Sequence, residues 1–518
     1  MILWRFIWSH KTNKRYLWIA ASIIVGLWTL FKQLYPYPTL VLDSYYYAEA
    51  AVLNLPVNAW PIGYSKFLQL FNLISHSGNL LVTIQYLLVE LSCLVFFFTW
   101  LFLFMPGRFT RNLLFALLFV NPLFLYCSNL ILSDAVFIGL SILWVTQLLW
   151  IIYHPRLYMI LSSALLLTIA FAVRYNALYY PFVGALAFIL SRQRTILKLA
   201  GIGLPLVLLA LFIGYTSIKV GAITGERQFS AFGGWKLAND ALYTYAHVYK
   251  DHPQPVPRKF RSLDSLVREY FVVSGNSGDM LKTDYTYGSL FMFAQETPLV
   301  RYLFNLSGRK SYWPFIGSKD WLSVGPLYQD YGVWLIRQHP LAFARYFLWP
   351  NFIRYINPPG EVFGSTMPFV FVEAYGGEYV RKCIGLDKLA FSSSSITLSQ
   401  DILYWYPKLV TTIHLAFLIG LIGFLATRGF RRTEKPYSYC LMTIIALWGC
   451  DLCFSVLSAG VVLRYEIFIL IPEMTFGLHF IEYTYRHLDS RDPMTTKLKN
   501  SQPDNLFDPP DHSSIRNL

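Results

Sequence analysis

The chain has 518 residues, 55% hydrophobic and 14% charged, with a mean hydropathy of +0.43. Soluble domains carry about 25% charged residues, so the composition excludes an ordinary soluble enzyme. Apolar runs long enough to cross a bilayer as helices, without the short alternating segments of a β-barrel, point to an all-α polytopic membrane protein. The net charge of +14 is a topology signal and not a nucleic-acid footprint. It sits in short connectors, at Arg108 and Arg111, Arg192 and Arg194, and Arg428, Arg431 and Arg432, as cytoplasmic loops require.

The first apolar run, 16–35, follows Lys11, Lys14 and Arg15 without a small-residue cleavage site, and reads as a signal anchor. Further spans are expected at 79–105, 112–127, 134–153, 157–174, 176–191, 197–219, 404–427, 437–459 and 464–485, about ten helices in all. Pro122 and Pro181 are expected to kink or shorten their helices. The even number puts both termini in the cytoplasm.

This divides the chain into an N-terminal membrane module, 1–219, a sizeable extracytoplasmic region, 220–403, C-terminal membrane helices, 404–485, and a disordered cytoplasmic tail, 486–518. The first outer loop, 36–77, carries two amphipathic segments, 44–55 and 61–74, expected along the interface. In the large polar region, 251–257 reads as a linker and 341–355, with aromatics between Arg345 and Arg354, as an interfacial helix. Six cysteines make no disulfide framework, and Cys450 and Cys453 read as packing residues inside a span.

Four residues stand out at the outer ends of the spans. Asp43 follows the first span and Asp134 opens the fourth; each can cap a helix or act chemically. Arg174 and Arg464 break the positive-inside trend, and each precedes a tyrosine. They either snorkel to headgroups or bind an anionic headgroup, for which guanidinium offers bidentate phosphate geometry. Arg309 and Lys310 are weaker candidates of the same kind. Within 232–243, Trp235 and Tyr243 can stack on a sugar while Asn239 and Asp240 bond its hydroxyls, or the stretch is a turn and a helix. Glu90, Asp451 and Glu473 lie in or near spans, as ion-pathway residues do. P-loop, GxGxxG, HExxH and GxSxG motifs are absent, and nothing calls for a metal.

The segments Leu42-Asp43-Ser44-Tyr45-Tyr46, Asn121-Pro122 with Leu132-Ser133-Asp134, Arg174-Tyr175 with Tyr180-Pro181, and Leu463-Arg464-Tyr465 with Pro472 resemble the GT-C class of integral-membrane glycosyltransferases. The likeness is to the polyprenyl- or dolichyl-phosphate-sugar-dependent enzymes that include protein O-mannosyltransferases and lipid A aminoarabinose transferases. It covers 10–220 and the last spans. The resemblance implies a GT-C-like fold and an inverting transfer from a polyprenyl-phosphate sugar to a glycan, lipid or protein acceptor. It casts Asp43 as general base, Asp134 as the residue that positions the acceptor or orients Asp43, Arg174 and Arg464 as phosphate ligands, and Tyr46 as an acceptor-side contact. No cofactor is implied, and a bacterial inner membrane with the site facing the periplasm is the expected setting. A polysaccharide polymerase or ligase, and a transporter or flippase, remain alternatives.

Overall fold

The computed structural model describes residues 2–251, 255–274, 288–308, 316–360, 377–386, 401–458 and 460–489. Residues 252–254 of the expected linker, Arg309 and Lys310, and the tail from 490 lie outside the described residues. Of the expected tail, 486–489 belong to the last helix.

The described residues are helical, with one isolated β-bridge between Thr39 and Leu130. In chain order the helices are α1 (Ile2–Ser9), α2 (Lys11–Leu34), α3 (Leu42–Val52), α4 (Gly63–Asn72), α5 (Gly78–Phe104), α6 (Arg108–Phe119), α7 (Pro122–Asn129), α8 (Ser133–Tyr153), α9 (Tyr158–Val173), α10 (Tyr180–Leu190) and α11 (Thr195–Thr224). They continue with α12 (Ala231–Val248), α13 (Arg261–Ser274), α14 (Pro298–Ser307), α15 (Gly325–Gln338), α16 (Trp349–Ile356), α17 (Gly377–Ile384), α18 (Tyr406–Ala426), α19 (Lys435–Ser458) and α20 (Leu463–Asp489).

Among the described residues, seven helical segments are long and apolar enough to cross a membrane: Lys11–Leu34, Gly78–Phe104, Arg108–Asn129, Ser133–Tyr153, Thr195–Thr224, Asp401–Ala426 and Lys435–Ser458. By length and composition this is a multi-pass membrane protein. Tyr158–Val173 and Tyr175–Leu190 are apolar but shorter.

Proline chemistry sets several boundaries. Pro122 starts α7, where its missing N–H costs no helical bond, and Asn121 caps that start by accepting from the Leu123 N–H at 3.1 Å. The expected span at 176–191 is instead a 3-10 turn, Tyr175–Tyr179, followed by α10 with Pro181 in its first turn. The helix expected at 341–355 is present as one continuous helical stretch over 340–356, widened by a π turn at Ala344–Leu348 that leads into α16.

The membrane helices share one apolar core, in which α8 packs on α5 and α9, and α18 runs along α20. The same core continues into the central region, where it is aromatic between α12 and α15. Trp235 stacks on Trp321 with centroids 5.3 Å apart, and Tyr328 meets Trp235 edge-on at 4.6 Å. This region covers the first loop at two places. Helix α17 packs against α3, and Phe232 meets Trp60 with centroids 6.2 Å apart.

Candidate functional site

The first loop is tied to the start of α8 by backbone. The Thr39 N–H donates to Asn129 O at 2.8 Å, and the Ile131 N–H donates to Thr39 O at 3.1 Å. Asn129 reinforces the bridge, donating through Nδ2 to Tyr37 O at 3.1 Å and to Thr39 Oγ1 at 3.2 Å; its Oδ1 accepts from Lys32 Nζ at 3.0 Å. Gln85 of α5 holds the other side, donating to the carbonyls of Ser128 and Leu130 at 2.9 Å each. Four residues after Thr39 comes Asp43, and four after Leu130 comes Asp134. The bridge therefore brings the two carboxylates to neighbouring helix starts.

Neither aspartate is a cap. Helix α3 is closed at its start by Ser44, whose hydroxyl accepts from the Val41 N–H at 3.0 Å, and Asp43 stands free in the first turn. Asp134 likewise sits inside the first turn of α8, after Leu132. Both positions suit a carboxylate, because the positive end of the helix dipole lies there.

Arg174 follows the last residue of α9 in extended conformation, with φ −150° and ψ 133°. It does not snorkel outward: its guanidinium pairs with the Asp134 carboxylate, and the two side chains are 14% and 4% exposed. Gly63 of α4 fixes the approach to this turn, since a Cβ there would lie 2.5 Å from the Ala172 carbonyl. Arg464, second residue of α20, comes from the far end of the chain. The Tyr465 ring takes both guanidinium groups, Arg174 at 4.9 Å and Arg464 at 5.2 Å from its centroid. Phe137 backs Arg174 at 5.8 Å.

Asp43 feels all three charges. Burial pushes its carboxyl above the usual range; Arg464 opposes that shift, Asp134 adds to it and Arg174 opposes it. Its surface is only partly covered although burial dominates its titration, which places it in a recess and not in packed core. Among the described residues it accepts no hydrogen bond and forms no ion pair. Asp134 is committed to Arg174, whereas Asp43 is available.

The chain matches no family model, no curated protein and no solved structure. The site therefore has to be read from its own chemistry.

Several expected contacts are corrected by packing. Tyr46 stacks on Trp60 at 5.0 Å. Tyr47, one helical turn from Asp43, occupies the site instead: its hydroxyl donates to Ser133 Oγ at 3.3 Å, and burial followed by the Asp43 charge keeps its phenol protonated. Trp235 has no exposed surface, and its indole N–H donates to Trp321 O at 3.0 Å. Asn239 donates to Gly288 O at 2.8 Å and accepts from the Phe291 N–H at 3.1 Å. Asp240 pairs with Lys236 at 2.9 Å. These three side chains are buried and bonded within the core of the central region. Tyr243 belongs with them, its hydroxyl accepting from the Leu290 N–H at 3.1 Å.

The central region nevertheless reaches the site through backbone. Gly288, at φ +57°, lies against Gly460 so closely that a Cβ on Gly288 would be 3.0 Å from the Gly460 Cα. Buried Val461, Val462 and Leu463 then lead directly to Arg464.

An apolar crevice of about 300 Å³ runs beside α20, lined by Leu117, Phe124, Val410, Ile467, Ile471 and Met474 among others. Ile467, Ile471 and Met474 follow Arg464 at helical spacing. Tyr406 and Asn121, hydrogen-bonded at 2.6 Å, stand among its lining residues.

Proposed function

We propose that the protein is a membrane glycosyltransferase of the GT-C type, using a polyprenyl-phosphate-linked sugar. The observation that carries this reading is the convergence of Asp43, Asp134, Arg174 and Arg464 from four distant chain segments, with only Asp43 left without a direct partner. An uncommitted carboxylate beside two guanidinium groups suits base catalysis next to a phosphate leaving group. In this reading ten helices span the membrane, the last being α20. The site faces the periplasm of a bacterial inner membrane.

Asp43 accepts the proton of the acceptor hydroxyl or amine as its heteroatom attacks the anomeric carbon. The bond from that carbon to the phosphate oxygen breaks, and polyprenyl phosphate leaves with the electron pair. A single displacement inverts the anomeric centre. Arg464 and Arg174 hold the phosphate as its charge grows, and Asp134 keeps Arg174 oriented. Tyr465 takes both guanidinium groups over its ring and so fixes where they stand. The crevice below Arg464 has the apolar lining that an isoprenyl chain requires.

The test is transfer from labelled polyprenyl-phosphate sugars to cell-envelope acceptors by the purified protein in nanodiscs. Transfer by wild type and its loss in Asp43→Asn is expected. Wild-type transfer by the variant would sink the Asp43 assignment. No transfer by wild type, with vectorial movement of substrate in liposomes, would replace the enzyme by a transporter.

A further inference from the structure

A second ionisable constellation lies within the membrane helices, and glycosyl transfer does not use it. His414 of α18 stands between two carboxylates of α20. Its Nε2 is 3.4 Å from Glu466 Oε2, and its Nδ1 is 2.6 Å from Glu473 Oε2. All three side chains are at most 1% exposed. Beside them, Asp451 of α19 accepts from the Tyr179 hydroxyl at 2.7 Å and the Tyr355 hydroxyl at 3.1 Å. Tyr179 belongs to the 3-10 turn that follows Arg174, and Tyr355 to α16. Tyr355 and Trp448 also face Glu473. The nearest strong cation in sequence, Arg464, lies two residues before Glu466 and is turned to Tyr465.

The charges do not balance. Three carboxylates face one imidazole, so full ionisation would leave two uncompensated negative charges where water is excluded, a costly state. The hydrogen-bond inventory is also incomplete. Among the described residues, Glu466 Oε1 accepts no hydrogen bond, and the donors that face Glu473, His414 Nδ1, Tyr355 and Trp448, are not well aligned to its oxygens. A fully buried acceptor without a donor is unfavourable. A proton resolves both conditions: it removes a charge and turns one carboxylate oxygen into a donor toward its neighbour.

We propose that His414, Glu466, Glu473 and Asp451 form a proton-binding site inside the membrane half, in which Glu466 and Glu473 hold at least one exchangeable proton. The site joins α18, α19 and α20 to α16 and to the turn after Arg174. Release of the proton puts repulsion between α19 and α20, the helix that begins with Arg464. The inference stands on this cluster alone and does not depend on the glycosyl-transfer reading.

Infrared difference spectroscopy on the full chain in nanodiscs tests it. The expected result is a protonated-carboxyl stretching band that shifts in D2O and on labelling glutamate carboxyls with ¹³C, and that fades as pH rises. Glu90 is a buried glutamate elsewhere in the bundle, so the measurement is repeated on Glu90→Gln. A band that survives Glu90→Gln and is lost in Glu466→Gln or Glu473→Gln supports the site. No label-sensitive band, a band abolished by Glu90→Gln, or one that both cluster variants leave intact would overturn it. Should both cluster variants fail to fold, labelled Glu90→Gln alone decides: a titrating, label-sensitive band supports the site, and its absence overturns it.

Discussion

Two clusters in this protein each set aspartate beside basic side chains and have opposite character. In the central region, Lys236, Asn239 and Asp240 satisfy one another and the Gly288 turn, so every polar atom is bound inside the fold. At the start of α3, Asp43 stands in a recess with three charges around it and no direct partner. What distinguishes them is commitment. A buried polar group whose hydrogen bonds are complete specifies structure, whereas one held near opposite charge and left open has capacity for a ligand or a proton.

The largest effect that separates the two clusters is on transfer. Asp43→Asn keeps size and shape but cannot accept the proton, and should lower kcat with a labelled donor by about 10²–10⁴-fold. Its thermal midpoint should stay near that of wild type, because no described contact is lost. Next is Arg464→Gln, which removes a phosphate donor and should cost about 10²–10³-fold in transfer. It carries a second readout. Arg464 is the main group holding the Asp43 carboxyl down against burial, so its loss raises Asp43 further. Since the base works only when ionised, the acid limb of kcat/KM should move to higher pH in Arg464→Gln. An unmoved limb would separate Asp43 from the titration that controls transfer.

Trp235→Ala probes the other side of the comparison. It opens a cavity beneath Trp321 and Tyr328, with an expected loss of about 3–5 kcal/mol in stability, read as a fall in thermal midpoint in detergent. KM for the acceptor should not change among molecules that remain folded. A raised KM with unchanged stability would restore Trp235 to a sugar-binding role.

The sequence carried the site better than its surroundings, for physical reasons. Asp43, Asp134, Arg174 and Arg464 are legible because charge at a membrane boundary is costly and conspicuous against apolar runs. Their arrangement is not legible: Asp43 comes beside Asp134 through the bridge between Thr39 and Leu130, and Asp134 takes Arg174 only once α8 and α9 are packed together. Tyr47 could have been found from its helical spacing to Asp43, and Tyr465 from its place beside Arg464. Trp235, Asn239 and Asp240 misled because an aromatic and polar stretch looks the same whether it lines a sugar site or fills a core. His414 and Glu466 acquire meaning only when α18 is laid on α20, a contact between segments about 50 residues apart. Helix breaks at Pro122 and Pro181 were readable because proline acts locally.

The smallest expected effect lies in the committed cluster and concerns pH. Burial lifts the Asp240 carboxyl to about 6, against the opposing pull of Lys236 and Asn239. In the unfolded chain the same group titrates near 4. The folded state therefore takes up its proton first as pH falls, and stability contributed by this group rises on acidification from about pH 6 to about pH 4. Above about pH 6 the carboxylate is ionised in both states and the burial penalty is fully present. Linkage makes the difference on the order of 2 kcal/mol. Protonation also ends the Lys236 pair, so the gain comes from relief of desolvation and not from a new contact. Asp240→Asn should flatten the pH dependence of the thermal midpoint across this window, whatever it does to the midpoint itself. The acid limb of transfer, governed by Asp43, should stay where it is in that variant. If the acid limb of transfer moved with Asp240, the two clusters would be coupled through the Gly288–Gly460 contact, and the contrast between a committed and an open carboxylate would become one of degree.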